Sequence, residues 1–349
     1  NDGSRADLVN YQTGRRDFVN LMAEKFGVDP LSKPEIHTTP GDRKAEDIGK
    51  RNEPLSKPST TVANATVKAE NTPWSPTTEV VVRLLEMPRE ALEKIEGWKD
   101  PEEEGLTAEQ KISRIGKNRQ IQRNIENLEA LKDKIDEGVE DIYFRWFVAS
   151  NSRQFMDAEG GLNPQGIKLH RYVATMAGMR GKVDPTKDGM PETIFKLGFA
   201  QGLGFPVDKS KVEDSKAFAD AILGSKKALE AIDTALQNGT SELKLKIKGK
   251  EYEIEVEEIA HAMLSIVEGT KWNASNGEAF DTSMVMEVDG LTNGFAHKVM
   301  QFLATSELGD KINEDTVKWL AKVGISFNSK EDASDMVAKI RAGKDGDAE

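Results

Sequence analysis

The chain contains no cysteine among its 349 residues. This absence excludes disulfide bonds, thiol nucleophiles and zinc sites built on thiolates, and it leaves the fold indifferent to redox conditions. Long apolar runs are missing as well, since none approaches the ~20 residues that span a bilayer. The N-terminus also lacks the layout of a signal peptide. We therefore expect a soluble protein without a membrane-spanning segment.

Basic residues are fewer than acidic residues, so the formal net charge is −12. An excess of acidic residues argues against a protein that coats nucleic acid without specificity, since phosphate contacts need Lys and Arg. It does not exclude a local basic groove, because net charge is a sum over the whole chain. The length allows one large domain or two, with a substantial core.

The first 75 residues carry few folding signals. Residues 30–76 are rich in Pro, Ser, Thr, Asn and charged side chains, a composition typical of linkers and extended arms. We expect residues 1–75 to form such an arm and residues 341–349 to form a disordered acidic tail. Because the chain begins at Asn1 without a methionine, we also expect it to be part of a longer polypeptide.

Apolar residues at helical spacing dominate the rest of the chain. They predict a helical N-terminal region over residues 76–148, in which Glu79–Leu85 fits a helix or a strand and Thr107–Ile135 fits two helices or one long kinked helix. Helices are also predicted over Ile194–Phe205 and Lys330–Ala342. Glycines 198, 202 and 204 do not indicate a dinucleotide-binding loop, because no strand precedes them.

The clearest strand signal lies in residues 242–257, within a region that we expect to span residues 149–270. Apolar residues alternate with Lys before Gly249 and with Glu after it, as in a two-stranded hairpin with cross-strand ion pairs. Because the Glu arm cancels the charge of the Lys arm, we interpret the hairpin as a structural insertion. The predicted fold class is therefore α+β and mostly helical.

Two basic stretches are candidates for contacts with phosphate. Lys117 and Arg119 belong to a local basic patch on the long predicted helix, which is either a solvated face or a surface that tracks phosphates. Lys168 and Arg171 are three positions apart on a helix that we expect to begin at Asn163-Pro164, so they share a face. Together with a helix N-terminus they would suit a phosphate, although ordinary surface charge explains them nearly as well.

A third candidate, Arg153, follows the strand-prone aromatic segment Asp141–Ser150. The segment delivers this arginine to a turn, where its side chain is available. Alternatively, it pairs with Asp157 or Glu159.

The organising stretch of the sequence is Ser283–Gly294, in which an apolar run ends on Asp289 and a tight turn at Gly290. We expect a strand that leads to Asp289 and a helix over Phe295–Ala304. A carboxylate at the end of a buried strand is rigid yet accessible, which suits Mg²⁺ because this ion tolerates little error in ligand placement. Alternatively, Asp289 only begins a turn or caps the helix.

The string Glu287-Val-Asp-Gly-Leu-Thr-Asn-Gly294 resembles motif A of the single-subunit RNA polymerases. It is most similar to the virion-encapsidated RNA polymerases that schitovirus phages inject with their DNA. The similarity runs in collinear order from about Pro73 to Ile340. Further similar strings are Asn163-Pro-Gln-Gly-Ile-Lys-Leu-His170, Phe195-Lys-Leu-Gly-Phe-Ala-Gln-Gly-Leu-Gly204 and Asn313–Phe327.

The resemblance implies part of a right-hand polymerase fold, with a palm core over residues 271–340. It implies a two-metal mechanism in which Asp289 and the carbonyl of Gly290 hold Mg²⁺. Arg153 would contact the template or the RNA–DNA hybrid, although the family's T-x-x-G-R pattern reads Ala-Ser-Asn-Ser-Arg here. The implied partners are a DNA template, nascent RNA and nucleoside triphosphates.

Two elements of the family, motifs B and C, are missing from the 60 residues after Asp289. The chain is therefore expected to be an incomplete polymerase whose remaining part is a partner, located in the virion and then in the host cell. The alternative is a structural segment that is ejected with the genome, alongside other ejection proteins, and is catalytically silent. A third possibility is an unrelated helical scaffold.

Overall fold

The computed structural model describes residues 35–51, 57–149, 153–157, 161–247, 249–287, 303, 307–322, 327 and 329–342. Two compact units divide the chain, residues 1–287 and residues 288–349.

Helices are the main regular elements in the described part of the first unit. It contains eight α-helices: α1 (Thr60–Glu70), α2 (Thr78–Glu86), α3 (Arg89–Ile95), α4 (Ala108–Asp136), α5 (Met190–Gly202), α6 (Val212–Leu223), α7 (Lys226–Gln237) and α8 (Ile259–Ala274). None of the described helices in the chain is long and apolar enough to cross a membrane.

The strands are short and form antiparallel pairs. They are β1 (Trp74–Pro76) with β4 (Ala174–Met176), β2 (Trp146–Val148) with β3 (Gln154–Met156), β5 (Gly181–Val183) with β8 (Phe280–Thr282), and β6 (Glu242–Ile247) with β7 (Lys250–Glu255). The mostly helical α+β class is confirmed, and so is the hairpin, which pairs Lys244 with Glu253 across its strands at 3.0 Å. Four separate two-stranded sheets do not by themselves show a polymerase palm in the described residues.

Helix α4 is one continuous helix of 29 residues rather than two. It begins where the sequence predicts, because Thr107 and Gln110 form a capping box that satisfies two terminal N–H groups. Its second half buries Ile121, Ile125 and Leu128, which lie four and three positions apart on one face. The continuous helix therefore lays one apolar stripe along the core.

Helix α8 lies at the centre of the core. All of its residues from Ile259 to Gly269 are buried, as expected of a helix that is surrounded by other elements. It packs against α2, α5 and α7. The predicted glycine-containing helix corresponds to α5, where a Cβ at Gly202 would overlap the Ser265 hydroxyl. This glycine therefore serves close helix packing rather than a dinucleotide.

The segment expected to be an extended arm contains helix α1 and is fixed to the body at its end. The carboxylate of Glu70 is only 1% exposed. It accepts a hydrogen bond from the backbone N–H of Trp146 at 2.9 Å and pairs with the guanidinium of Arg43. A buried carboxylate with these partners holds the chain on both sides of α1 against strand β2.

Two local predictions differ from the structure. The strand before Asp289 ends at Thr282, and residues 283–287 follow without belonging to a strand. The helix expected from Asn163-Pro164 is instead a turn, followed by a 3₁₀ helix over Lys168–His170. The side chain of Asn163 explains the turn, because its Oδ1 accepts from the N–H of Gly166 at 2.9 Å and so competes with helical bonding.

The second unit contains a 3₁₀ helix over Glu307–Lys311, α9 (Glu314–Lys322) and α10 (Lys330–Ala342). The last of these has the bounds predicted from the sequence. Asp289, Gly290 and the helix predicted over Phe295–Ala304 lie outside the described residues, apart from position 303.

Candidate functional site

A groove of about 840 Å³ opens on the first unit, between α1, the β1–β4 pair and residues 285–287. Its walls are largely apolar and contain two indole rings and several thioethers. The main apolar side chains are Trp74, Trp146, Met156, Tyr172, Met176 and Met179. Large grooves of this kind, with a few polar groups among aromatic walls, are typical ligand sites.

The indole Nε1–H of Trp146, beside this groove, is buried and has no hydrogen-bond partner among the described residues. The hydroxyl of Tyr172 is buried as well, and it lies next to the carboxylate of Glu287. A buried donor without a partner costs about 1–3 kcal/mol. Burial raises the pKa of Tyr172, and the nearby Glu287 carboxylate raises it further, so the hydroxyl keeps its proton. The groove thus combines largely apolar walls with a protonated tyrosine next to a carboxylate.

Tyr172 also has an unusual backbone conformation, with φ = 64°. The left-handed region is costly for a bulky residue, and such conformations persist only where neighbouring contacts impose them. The ring stacks on the imidazole of His261 with centroids 4.2 Å apart. Burial lowers the pKa of His261 to about 4, so the stacked imidazole is neutral at pH 7. Packing therefore holds the tyrosine in a fixed orientation at the groove.

The structure brings Lys168 and Arg171 together as the sequence predicts, although not on an α-helix. Arg171 Nη1 lies 3.0 Å from Glu258 Oε1 and 3.5 Å from Glu287 Oε1. Lys168 Nζ lies 3.4 Å from the same oxygen of Glu258. Sequence reasoning missed Glu258, since no local pattern marks a residue 87 positions from Arg171. These carboxylates offset both cations, and Arg171 lines the groove beside Glu287.

Lys117 projects from α4 toward the same region. Burial raises the pKa of Glu96, while Lys168 and Lys117 oppose this effect by favouring the charged carboxylate. Both lysines therefore act on one carboxyl group, although they are distant in sequence. Glu258 acts on the same carboxyl group in the opposite sense, so carboxylates stand among these cations.

The rest of the basic patch on α4 does not form one continuous solvated face. Arg114 donates to the carbonyl oxygen of Asp100 at 2.6 Å and pairs with Glu103. Arg123 is buried, with 4% exposure, whereas Arg119 is half-buried. The patch therefore serves local packing at its ends as well as surface charge.

Arg153 directly precedes β3, and its carbonyl oxygen accepts from the N–H of Ala149 at 2.8 Å. The side chain is exposed, and it is not among those that line the groove. Asp157, one of its two expected partners, forms a bidentate pair with Arg51 at 2.7 and 2.8 Å. Met156, the last residue of β3, does line the groove.

The predicted magnesium ligands, Asp289 and Gly290, lie outside the described residues. Within the described ranges, no group of three or more His, Asp or Glu side chains could hold a metal ion. Glu287 is the nearest described residue to Asp289 in sequence, and it lies at the groove.

Comparison with known protein families gives one result that bears on function. Residues 61–174 match a family model described as "Virion DNA-directed RNA polymerase domain". No curated protein matches the chain. The matched segment is thus a domain of the kind found in virion DNA-directed RNA polymerases, and it contains α1 except for Thr60, both indole rings of the groove and Tyr172.

Proposed function

We propose that the chain is a segment of a virion DNA-dependent RNA polymerase that adds nucleotides to an RNA 3′ end on an injected DNA template. The observation that carries this proposal is the family match over residues 61–174. Most of the groove's lining residues fall inside that range. The groove would hold nucleic acid during synthesis.

The chemistry of the groove supports a nucleic-acid occupant. Indole and phenol rings stack on bases of any sequence, at about 1–3 kcal/mol per base. On the rim, the ammonium of Lys68 makes no ion pair with the described residues and lines the groove. Phosphate would also compete with Glu258 and Glu287 for Arg171.

Within this proposal, Asp289 and the carbonyl of Gly290 hold Mg²⁺, as the likeness to motif A implies. The ion would lower the pKa of the RNA 3′-hydroxyl and neutralise charge on the triphosphate. The residues of this chain would supply one carboxylate, one carbonyl and the groove. The remaining part of the polymerase, with motifs B and C, would supply the second aspartate and the nucleotide-binding helix.

A binding experiment tests the groove. The chain is titrated into fluorescein-labelled single-stranded DNA and RNA at two salt concentrations, and anisotropy is measured. Lys68→Glu is expected to weaken binding about tenfold and to reduce the salt dependence, because it replaces one phosphate contact by repulsion. Lys227→Glu on α7, another exposed lysine, is the matched control. Equal effects of the two variants would contradict a nucleic-acid groove.

A second experiment tests the catalytic assignment. The chain is combined with the polypeptide that carries motifs B and C, and extension of a labelled RNA primer is followed with Mg²⁺. Asp289→Ala is expected to abolish extension while the fold survives, whereas Asp281→Asn, at an exposed position in β8, leaves it intact. Primer extension by the Asp289→Ala protein would refute the assignment.

The alternative is a structural ejection segment that is silent in catalysis. The neutralisation of Lys168 and Arg171 by Glu258 favours it, since paired cations do not attract phosphate strongly. It predicts assembly with other virion proteins and no effect of Asp289→Ala on infection. Infectivity of phage that carries this substitution separates the two functions.

A further inference from the structure

A tight turn between β4 and β5 forms one edge of the groove and presents two methionines. Met176 is 37% exposed and Met179 is 66% exposed, and both line the groove. Exposed apolar side chains are usually scattered singly over a protein surface. Here two of them stand on one turn beside Trp74, which lies opposite Met176 in the β1–β4 pair. The turn therefore gives the groove an exposed apolar rim.

Backbone hydrogen bonds fix this turn. The N–H of Met179 donates to the carbonyl oxygen of Met176 at 3.1 Å, and Gly178 between them has φ = 85°. These are the features of a type II β-turn, whose third residue needs a positive φ. The N–H of Ala177 also donates to the carbonyl oxygen of Pro73 at 2.9 Å. Met179 is thus presented from a backbone that is tied both to itself and to the residue before β1.

An unpaired cation stands beside the more exposed methionine. Arg180 follows Met179 and is exposed, and its side chain makes no ion pair or hydrogen bond within the described part of the chain. Lys182 is exposed as well, although it lies opposite Asp281 in the β5–β8 pair. Among the described residues that line the groove, Glu287 is the only carboxylate. The rim at Met179 therefore complements a negatively charged ligand.

An apolar side chain next to an unpaired cation suits insertion into nucleic acid. Proteins that distort nucleic acid insert Met, Leu or Phe between neighbouring bases, and the unbranched thioether of methionine adapts to irregular gaps. The faces of the bases supply apolar contact, while the flanking phosphates supply the negative charge. An apolar protein surface would cover Met179 but would leave Arg180 without a counter-charge. The combination therefore favours nucleic acid as the occupant.

We propose that Met179 inserts between two neighbouring bases of a nucleic acid strand in the groove and unstacks them, while Arg180 contacts a flanking phosphate. Met176 and Trp74 then pack against the displaced base. This inference rests on the proposed function, because the turn is one edge of the groove that is proposed to hold nucleic acid. It goes further, since a strand can bind in a groove without any loss of stacking.

Fluorescence of 2-aminopurine tests the insertion, because this base becomes brighter when it loses its stacked neighbours. The complete chain is added to saturation to single-stranded DNA of about 12 nucleotides, within the usual site sizes, with 2-aminopurine at one position in each oligonucleotide. Fluorescence is expected to rise roughly twofold or more at some positions. Met179→Ala should lose more than half of this rise. Met179→Leu should retain most of it, because leucine is also apolar and similar in volume.

Met190→Ala is the matched control, since Met190 is 71% exposed at the start of α5 and does not line the groove. It should change neither the fluorescence nor the affinity. Arg180→Ala should weaken binding and lower the salt slope by about 0.7, the value for one phosphate contact on a single strand. Met179→Ala should leave that slope unchanged, because methionine carries no charge.

The outcomes separate the insertion from the proposed function. Binding that depends on Lys68 but gives no rise in fluorescence, or the same rise in Met179→Ala and Met190→Ala, would overturn the insertion and leave the proposed function standing. Absence of binding by the native chain would contradict both. A native chain that binds no DNA but sediments as a dimer, which Met179→Glu dissociates, would assign the turn to an interface between copies and overturn the insertion. Circular dichroism of each variant confirms that it is folded.

Discussion

The side-chain amide of Gln201 holds the backbone of Glu287 by two hydrogen bonds. Its Nε2 donates to the carbonyl oxygen of Glu287 at 3.0 Å, and its Oε1 accepts from the N–H of the same residue at 2.9 Å. The amide therefore pairs with both backbone polar groups of one residue, as a neighbouring strand would. This contact explains how residues 283–287 are held in place without belonging to a sheet.

The first prediction concerns this contact. Gln201→Ala removes both hydrogen bonds and should lower the free energy of unfolding by about 1 to 3 kcal/mol, at about 0.5–1.5 kcal/mol for each bond. Amide hydrogen exchange in residues 283–287 should accelerate in the same variant, because their backbone loses its partner. Urea denaturation and exchange mass spectrometry measure the two effects.

Gln237→Ala is a suitable control, since this glutamine on α7 makes no side-chain hydrogen bond within the described part of the chain. It should change stability by less than about 0.5 kcal/mol. Unchanged exchange at residues 283–287 in Gln201→Ala would show that other contacts hold the segment.

The second prediction concerns Gly198, on the same helix. A Cβ at this position would overlap the carbonyl oxygen of Val285. Gly198→Ala should therefore destabilise the fold by about 1–3 kcal/mol, as overpacking does, despite the better helix propensity of alanine. Gly49→Ala, where no atom lies within 4 Å of the added carbon, is the matched control in thermal denaturation. Equal melting temperatures for the two variants would disprove the close approach.

The third prediction concerns the buried carboxylate of Glu70. Glu70→Gln keeps an acceptor for the Trp146 N–H but removes the charge that Arg43 pairs with. We expect a loss of about 2 kcal/mol, within the range for hydrogen bonds to charged groups. Residues 41–51 should also become more sensitive to limited proteolysis, because Arg43 no longer anchors them.

Glu104→Gln serves as the reference for that experiment, since Glu104 is exposed in the loop before α4. It should match the native protein in both stability and digestion pattern. A Glu70→Gln protein that is digested at the native rate would show that Arg43 does not anchor this segment.

The fourth prediction concerns acid sensitivity. Burial lowers the pKa values of His170 and His261 to about 4, below the value of about 6.5 for an unfolded chain. The unfolded state therefore binds protons that the folded state does not. This stabilisation is complete above pH 6.5 and decreases as pH falls toward 4, by up to about 3 kcal/mol for each histidine.

Urea denaturation between pH 7.5 and 5 checks this prediction in a range above most carboxyl pKa values. His261→Phe keeps a ring to stack on Tyr172 and removes one titrating group. The free energy of unfolding of this variant should depend less steeply on pH, and the difference in slope should correspond to close to one bound proton. An unchanged pH slope in this variant would exclude His261 as a source of the acid sensitivity.

Local patterns in the sequence were sufficient to predict most helices and the hairpin. The cap at Thr107, the bounds of α10 and the alternation around Gly249 depend on neighbours within a few positions, so periodicity and turn chemistry identify them. The same reasoning failed at Asn163-Pro164, where the Asn163 side chain stabilises a turn in place of the expected helix. The sequence also predicted that the strand before Asp289 continues beyond Thr282. This prediction failed because apolar residues alone do not show where strand pairing ends.

The sequence by itself determined the fold class, the family likeness and which cations come close together, since Lys168 and Arg171 are neighbours along the chain. Only the tertiary structure decided that Glu258 offsets both charges, that Trp146 and Tyr172 meet in one groove, and that Gln201 holds Glu287. These relationships join residues that lie from 26 to 90 positions apart. No periodic pattern specifies such pairs, because they arise when helices and turns pack around a common core and bring distant side chains within hydrogen-bonding distance.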